Sequence, residues 1–233
     1  MKKLAVITGA SRGVGVDIAR RLIAKGWTTI GLARRSEQLA DVQKTLGPGF
    51  QFFPADVTNY DEVAGAFEKI GKQYGTIDVL VNNAAVFKLA RFSDCDVRDI
   101  TSILDTNLKG TLFCTHRALP LLRRPGGRII NIASVAATHG LKNQAIYCAS
   151  KHGVDGFADA LAQELQEEQI SVSTICPGGI DTPLWDKATN PYPGDLKKVL
   201  QPDDVARMVE LVAELPAHVT MKKVIMFPSN EWH

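Results

Sequence analysis

Short apolar runs alternate with stretches of helical periodicity along nearly the whole chain, and this alternation constrains the fold more than any other feature. Leu4 to Thr8 is apolar and ends at a glycine; from Val14 to Lys25 apolar side chains return at helical spacing, with Val14, Ile18, Leu22 and Ile23 on one face. Thr28 to Ala33 repeats the strand signal and Ser36 to Leu46 the helix, which Gly47-Pro48-Gly49 breaks before a strand at Phe50 to Pro54. A helix from Tyr60 to Tyr74 leads to a strand at Ile77 to Val81, and a helix from about Val97 to Leu122 leads to one at Arg128 to Ala133. A helix from about Ala145 to Glu168 precedes a strand at Ser171 to Ile175; after a looser stretch, Pro202 to Leu215 reads as helix and Lys223 to Phe227 as the last strand. Strands separated by helices are joined by crossovers, so they run parallel, and a parallel sheet is covered on both faces. The expected architecture is a single α/β domain over 1–233, doubly wound on a seven-stranded parallel sheet.

Composition narrows the function classes. The net charge is +2, and the 27 basic residues are scattered rather than grouped, which speaks against a nucleic-acid partner. No apolar run approaches the roughly 18 residues of a membrane span. Met1-Lys2-Lys3 and the four apolar residues Leu4 to Ile7 are too short for a secretory leader. Cys95, Cys114, Cys148 and Cys176 have neither metal-ligand nor disulfide-framework spacing, and His116 and His152 have no cluster that suggests a metal, so no metal site is expected. A cytoplasmic protein with no membrane association is the expectation.

Two motifs carry chemistry. Gly9-Ala10-Ser11-Arg12-Gly13-Val14-Gly15 lies between the first strand and the first helix, where a nucleotide-binding fold needs glycine. Gly9 permits a tight exit from the strand, Gly13 lets backbone approach a pyrophosphate, and Gly15 allows close helix packing, while the helix N-terminus offers free N–H groups to phosphates. Farther on, Tyr147 and Lys151 stand four residues apart in a segment that reads as helix, so both project from one face. An ammonium beside a phenol favours phenolate. Moving a tyrosine from about 10 to neutrality takes roughly 4 kcal/mol, more than one lysine easily supplies, so a second positive charge such as an oxidised nicotinamide is expected nearby.

Together, Thr8-Gly9-x-x-x-Gly13-x-Gly15, Asn82-Asn83-Ala84, Ser134 and Tyr147-x-x-x-Lys151, in that order and at those separations, resemble the short-chain dehydrogenase/reductase family. Asp56-Val57 after the third strand, Asn107 in the fourth helix and Pro177-Gly178 after the sixth strand extend the resemblance from Leu4 to about Thr182. It implies a Rossmann-type fold with a cofactor half of about 1–125 and a catalytic and substrate half of about 126–233, and an oxidoreductase that moves a hydride between nicotinamide and a small carbonyl or alcohol substrate. In that family Tyr147 would exchange a proton with the substrate oxygen, and Lys151 would depress the tyrosine pKa and bond the nicotinamide ribose. Ser134 would hold the substrate oxygen, and Asn107 would support a water leading from Lys151 to solvent. Ser11, Arg12 and Val14 would join the three loop glycines around the cofactor. Asp56 and Val57 would meet its adenine, and Asn83, Ala84 and Ala85 would pass near the adenosine ribose. Pro177, Gly178, Ile180 and Thr182 would lie at the nicotinamide end, with Tyr147 and Lys151. Ala85 departs from the glycine usual after Asn-Asn-Ala, a mild change.

Family members that use NAD(H) commonly place an acidic residue at the end of the second strand, where it would repel a 2′-phosphate. Here Ala33 stands at that position, followed by Arg34 and Arg35 and faced by Arg12, and guanidinium forks grip a phosphate bidentately, so NADP(H) is expected over NAD(H). The substrate pocket should be walled by Phe87, Lys88 and Leu89, by Val135 to Leu141, and by the loop from Leu184, with Leu184 and Trp185 making an apolar side. Lys88 and His139 are candidates for attracting an acid group. The end of the chain is similar to NADP-dependent serine or 3-hydroxy acid dehydrogenases of the family rather than to 3-oxoacyl-carrier-protein reductases. A 3-oxoacyl thioester reductase and a non-catalytic NADP(H)-binding regulator remain the alternatives. Family members commonly pair through the helices carrying Asn107 and Tyr147, which implies a homodimer or homotetramer.

Overall fold

The structure, a computed structural model, describes residues 2–186, 188 and 190–229; Met1, at the head of the short basic stretch, lies outside the described residues. Strands β1 (Leu4–Thr8), β2 (Thr28–Ala33), β3 (Phe50–Pro54), β4 (Val79–Asn82), β5 (Arg128–Ile132), β6 (Ser171–Pro177) and β7 (Lys223–Met226) form one sheet in the order β3-β2-β1-β4-β5-β6-β7. Every pairing in it is parallel. Helices α1 (Val14–Ala24), α2 (Ser36–Leu46), α3 (Tyr60–Tyr74), α4 (Val97–Leu104), α5 (Gly110–Ala118), α6 (Ala145–Glu164) and α7 (Pro202–Glu214) supply the crossovers.

Successive strand side chains point to opposite faces, and the buried residues divide accordingly. On one face Leu4, Val6, Leu80 and Ile129 pack with Phe67 and Ile70 of α3, Cys114 of α5 and Leu161 of α6. On the other, Ala5, Ile7, Val81 and Ile130 pack with Ile18 and Leu22 of α1, Leu39 of α2 and Val209 of α7. All five residues of β1 are buried, as a central parallel strand requires. Among the described residues no helix is long and apolar enough to cross a membrane.

The structure differs from the periodicity in instructive places. The expected helix from Val97 to Leu122 is divided: α4 gives way to a π-helical turn, Asp105–Lys109, before α5, and α5 stops short of Leu119-Pro120, where proline lacks the N–H that a helix interior needs. β4 begins at Val79 rather than Ile77 because Ile77 pairs instead with Leu122, in an isolated bridge. α6 ends at Glu164, four residues before the expected end, and the chain then turns through Gln169 at φ 54. β6 continues to Pro177, its added residues pairing with β7.

Polar side chains seal the end of the sheet away from the strand C-termini. Asp78 accepts the Leu4 N–H at 2.7 Å and pairs with Arg123. Arg128, 4% exposed at the start of β5, donates to the carbonyls of Leu215 (2.5 Å), Pro216 (2.9 Å) and Val219 (3.2 Å) and to Ser171 Oγ (3.0 Å). One guanidinium therefore fastens the connection between α7 and β7 beneath the sheet. Burial lowers its pKa, the expected direction for a cation withdrawn from water without a carboxylate partner. Arg128→Met should leave three carbonyls without their donor and reduce the unfolding free energy by about 3 kcal/mol, measured by urea denaturation as a lower midpoint at unchanged slope. Arg128→Lys should recover part of the loss, since an ammonium cannot span the fork's acceptors.

Candidate active site

The strand order departs in opposite directions from β1 and β4, and between their C-terminal ends lies the crevice in which doubly wound sheets bind ligands. Its spread is fixed by two side chains. Thr8 Oγ accepts the N–H groups of Asn83 (2.9 Å) and Ala84 (3.0 Å), and Asn83 Nδ2 donates to the carbonyls of Thr8 (2.9 Å) and Gly9 (3.3 Å). Gly9 has φ 66, and a Cβ there would lie 2.9 Å from Ala84 Cα, so both conformation and contact demand glycine. A Cβ on Gly15 would lie 2.5 Å from the Gly9 carbonyl oxygen; Gly15 sits behind the loop and sets its packing on α1 rather than lining the crevice. α1 begins at this loop without a side-chain cap, which leaves its first N–H groups available to an anion.

The crevice opens into a cleft of about 570 Å³. The sequence-predicted Gly9, Ser11, Arg12, Gly13, Val14, Arg34, Arg35, Asp56, Val57, Asn83, Ala84 and Ala85 all line it. So do Ser134, Tyr147, Lys151, Pro177, Gly178, Ile180 and Thr182. Among the described residues none of the guanidinium groups of Arg12, Arg34 and Arg35 is paired with a carboxylate, although all three border the same end of the cleft. Free guanidinium groups beside an uncapped helix N-terminus fit a phosphorylated dinucleotide. Asp56 Oδ1 accepts both the N–H and the hydroxyl of Thr58 at 2.9 Å, while Asn59 caps α3. Sequence reasoning missed Gln38, which lines the same end of the cleft as Arg34 and Arg35; it lies just beyond them on α2, a position their spacing could have flagged.

At the other end stand the groups that can move a proton. Ser134 lies two residues beyond β5, its Oγ accepts the Ala136 N–H at 3.1 Å, and it acts on the Tyr147 phenol in the direction that lowers its pKa. Tyr147 is 8% exposed and Lys151 2%, both on the face of α6 turned toward β5. Lys151 Nζ donates to the Ile132 carbonyl at 2.8 Å and lies 5.6 Å from the centre of the Tyr147 ring. Burial lowers the Lys151 pKa from 10.5 to about 8. Burial also pushes the Tyr147 phenol well above its ordinary range, against a smaller opposite effect of Ser134. For both groups desolvation is the largest influence on the pKa, and it outweighs the effect of the neighbouring residues on the phenol.

Asn107 does not line the cleft; it clamps the framework behind it. Its Oδ1 accepts the Val86 N–H (2.8 Å), and its Nδ2 donates to the Val86 carbonyl (2.9 Å) and to Ser150 Oγ (3.1 Å). Ser150 in turn donates to the Tyr147 carbonyl at 2.7 Å, so one amide ties the chain after β4 to the helix that carries the phenol. Ser150 was missed in the sequence, although it stands beside Lys151 within the motif. Of the two candidate anion binders, Lys88 pairs with Asp99 at 2.5 Å, and neither Lys88 nor His139 lines the cleft.

The comparisons agree with this geometry. Residues 3–193 match the model of the short chain dehydrogenase family. An uncharacterised oxidoreductase of Staphylococcus saprophyticus is 34% identical over 231 residues, 97% of each chain. A 3beta-hydroxysteroid dehydrogenase of Mediterraneibacter gnavus is 33% identical over 91% of this chain and 74% of its own. Among solved structures, the closed form of a serine dehydrogenase complexed with NADP+ superposes with a TM-score of 0.85 at 30% identity, covering 99% of this chain and 96% of the other. A switch-point crevice with a glycine turn at one end and a buried tyrosine and lysine at the other is thus accompanied by likeness along the chain's full length, and the chain belongs to the short chain dehydrogenase family of oxidoreductases.

Proposed function

We propose that the chain is an NADP(H)-dependent dehydrogenase or reductase that interconverts a carbonyl and a secondary alcohol, with Tyr147 as general acid and base. The observation that carries this reading is one continuous cleft with unpaired Arg12, Arg34 and Arg35 at one end and Ser134, Tyr147 and Lys151 at the other. When bound, a reduced nicotinamide dinucleotide supplies a hydride to the carbonyl carbon. Tyr147 Oη gives its proton to the carbonyl oxygen as that oxygen becomes an alcohol, and takes it back in the opposite direction. Ser134, which lines the cleft beside Tyr147, orients the substrate oxygen, and the Asn107–Ser150 clamp holds α6 in place for proton transfer. Lys151 supplies positive charge that favours the phenolate once the arriving ligand changes the electrostatics of the site. The NADP+ complex of the serine dehydrogenase supports the cofactor, and the steroid dehydrogenase relative supports the reaction class.

A regulator that only binds nucleotide has less support, because burying the Lys151 ammonium is costly and a chain with no proton to move has no use for it. Reduction of a 3-oxoacyl thioester would use the same groups and differ only at the substrate end of the cleft. The reading includes a reducing cytoplasm, supported by four free cysteines. It also includes pairing of copies through α4, α5 and α6, supported by the exposure of Val97 on α4 (76%) and of Phe92 just before it (62%).

NADPH should bind more tightly than NADH, and replacing Arg34 and Arg35 by alanine should weaken NADPH by about 10–100-fold while leaving NADH nearly unchanged; fluorescence of the bound reduced cofactor reads both, and equal losses would remove the 2′-phosphate from the argument. Tyr147→Phe should cut kcat by about 100-fold or more with cofactor affinity preserved; turnover that survives the substitution would dismiss the phenol as proton donor. In the cofactor-free protein the Lys151 ammonium should be protonated below, and neutral above, a midpoint near pH 8. An isotope-resolved lysine titration should show that low step in the native chain and lack it in Lys151→Met.

A further inference from the structure

The substrate end of the cleft has a definite chemistry. Phe87 packs edge-on against Tyr147 with ring centres 4.8 Å apart, Trp185 packs on Phe87 at 4.8 Å, and Tyr192 on Trp185 at 4.8 Å, with interplanar angles of 78°, 71° and 75°. A row of rings therefore runs from the proton donor to the loop after β6. That loop is fastened by Asn190, 7% exposed, whose Oδ1 accepts the Leu89 N–H at 2.8 Å and whose Nδ2 donates to the Leu184 carbonyl at 3.1 Å. Trp185 is thus presented on anchored backbone.

Charge is distributed unevenly along the cleft. Of its charged lining residues, Arg12, Arg34, Arg35 and Asp56 stand at the nucleotide end, and Lys151 is buried with its ammonium bonded to the Ile132 carbonyl. Lys88, which follows Phe87, is engaged with Asp99 outside the cleft. Among the described residues the wall formed by Phe87, Leu141, Leu184, Trp185 and Tyr192 carries no cation. A carboxylate placed against these residues would lose its hydration without gaining a counter-charge from them, a costly transfer. A flat ring would instead meet aromatic edges and faces at favourable spacing. The Gln144 side chain borders the same space and makes no hydrogen bond among the described residues, so it can receive one neutral polar substituent.

We propose that the substrate is an uncharged ketone, or its secondary alcohol, whose reacting carbon bears a flat ring that packs against Phe87 and Trp185, with a neutral polar substituent within reach of Gln144. This rests on the dehydrogenase reading above, and the test separates the two. With NADPH present, a ring-bearing ketone, an aliphatic ketone of equal carbon number and the ring ketone carrying a carboxylate are compared for turnover. The uncharged ring ketone should have the highest kcat/KM by about tenfold or more, and Trp185→Ala should raise its KM by about 10–100-fold with a smaller change in kcat. Trp185→Phe should restore most of the loss, and the aliphatic ketone should be little affected by either change. Preference for the carboxylate or the aliphatic ketone in a Tyr147-dependent reaction overturns the substrate class and leaves the dehydrogenase standing. Binding is read independently by quenching of tryptophan emission, expected in the native chain and absent in Trp185→Phe. Quenching by ring ketones without any turnover would uphold the pocket and sink the dehydrogenase reading; no quenching and no ring preference would overturn the pocket.

Discussion

The hydrogen bonds between Thr8 and the start of the chain after β4 are the constraint on which the site depends. They join the ends of two neighbouring strands whose chains then diverge, so the crevice has a fixed width before any ligand enters. Because the Thr8 hydroxyl receives two backbone N–H groups and Asn83 answers two backbone carbonyls, the buried polar groups of this junction are matched without water. The glycine turn is built against that junction, and with it the N-terminus of α1. On the far side the same chain continues to Val86, where Asn107 takes hold and transmits the position to α6. The arginine end and the Tyr147 end of the cleft are therefore registered to each other through one run of backbone.

The two ends of the sheet are treated differently, and the difference explains how a protein can keep a large cleft and a stable core. At the strand N-termini Asp78 and Arg128 close the structure with buried, saturated polar groups. At the C-termini the uncapped start of α1 and three guanidinium groups that pair with no carboxylate among the described residues border the cleft.

Much of this was legible in the sequence. The alternation of apolar strands and helical segments implied the doubly wound sheet because both faces of a parallel strand must be covered, and the residues of the glycine and tyrosine-lysine motifs lie at the two ends of the cleft. The π turn was not legible: Asp105, Thr106 and Asn107 are weak helix formers, but nothing in the sequence marks an extra residue there, and only the reach of Asn107 toward Val86 and Ser150 gives it a purpose. Nor was the role of Asn107 as a clamp, since a side chain bonded to backbone far along the chain leaves no periodic trace. The engagement of Lys88 with Asp99 shows the converse, a charge that sequence position placed beside the pocket and a partner eleven residues on removed from it.

The π turn also couples fold and site in phase. Each residue of a regular helix advances the side-chain direction by about 100°, so the extra residue between α4 and α5 acts as an angular offset. With it, Asn107 faces the helix of Tyr147 while Cys114 and Ala118, farther along, face the core. A regular helix of the same sequence could satisfy one of these orientations and would rotate the other out of register. The irregularity is what lets a single helical arm serve two surfaces that are not aligned along it.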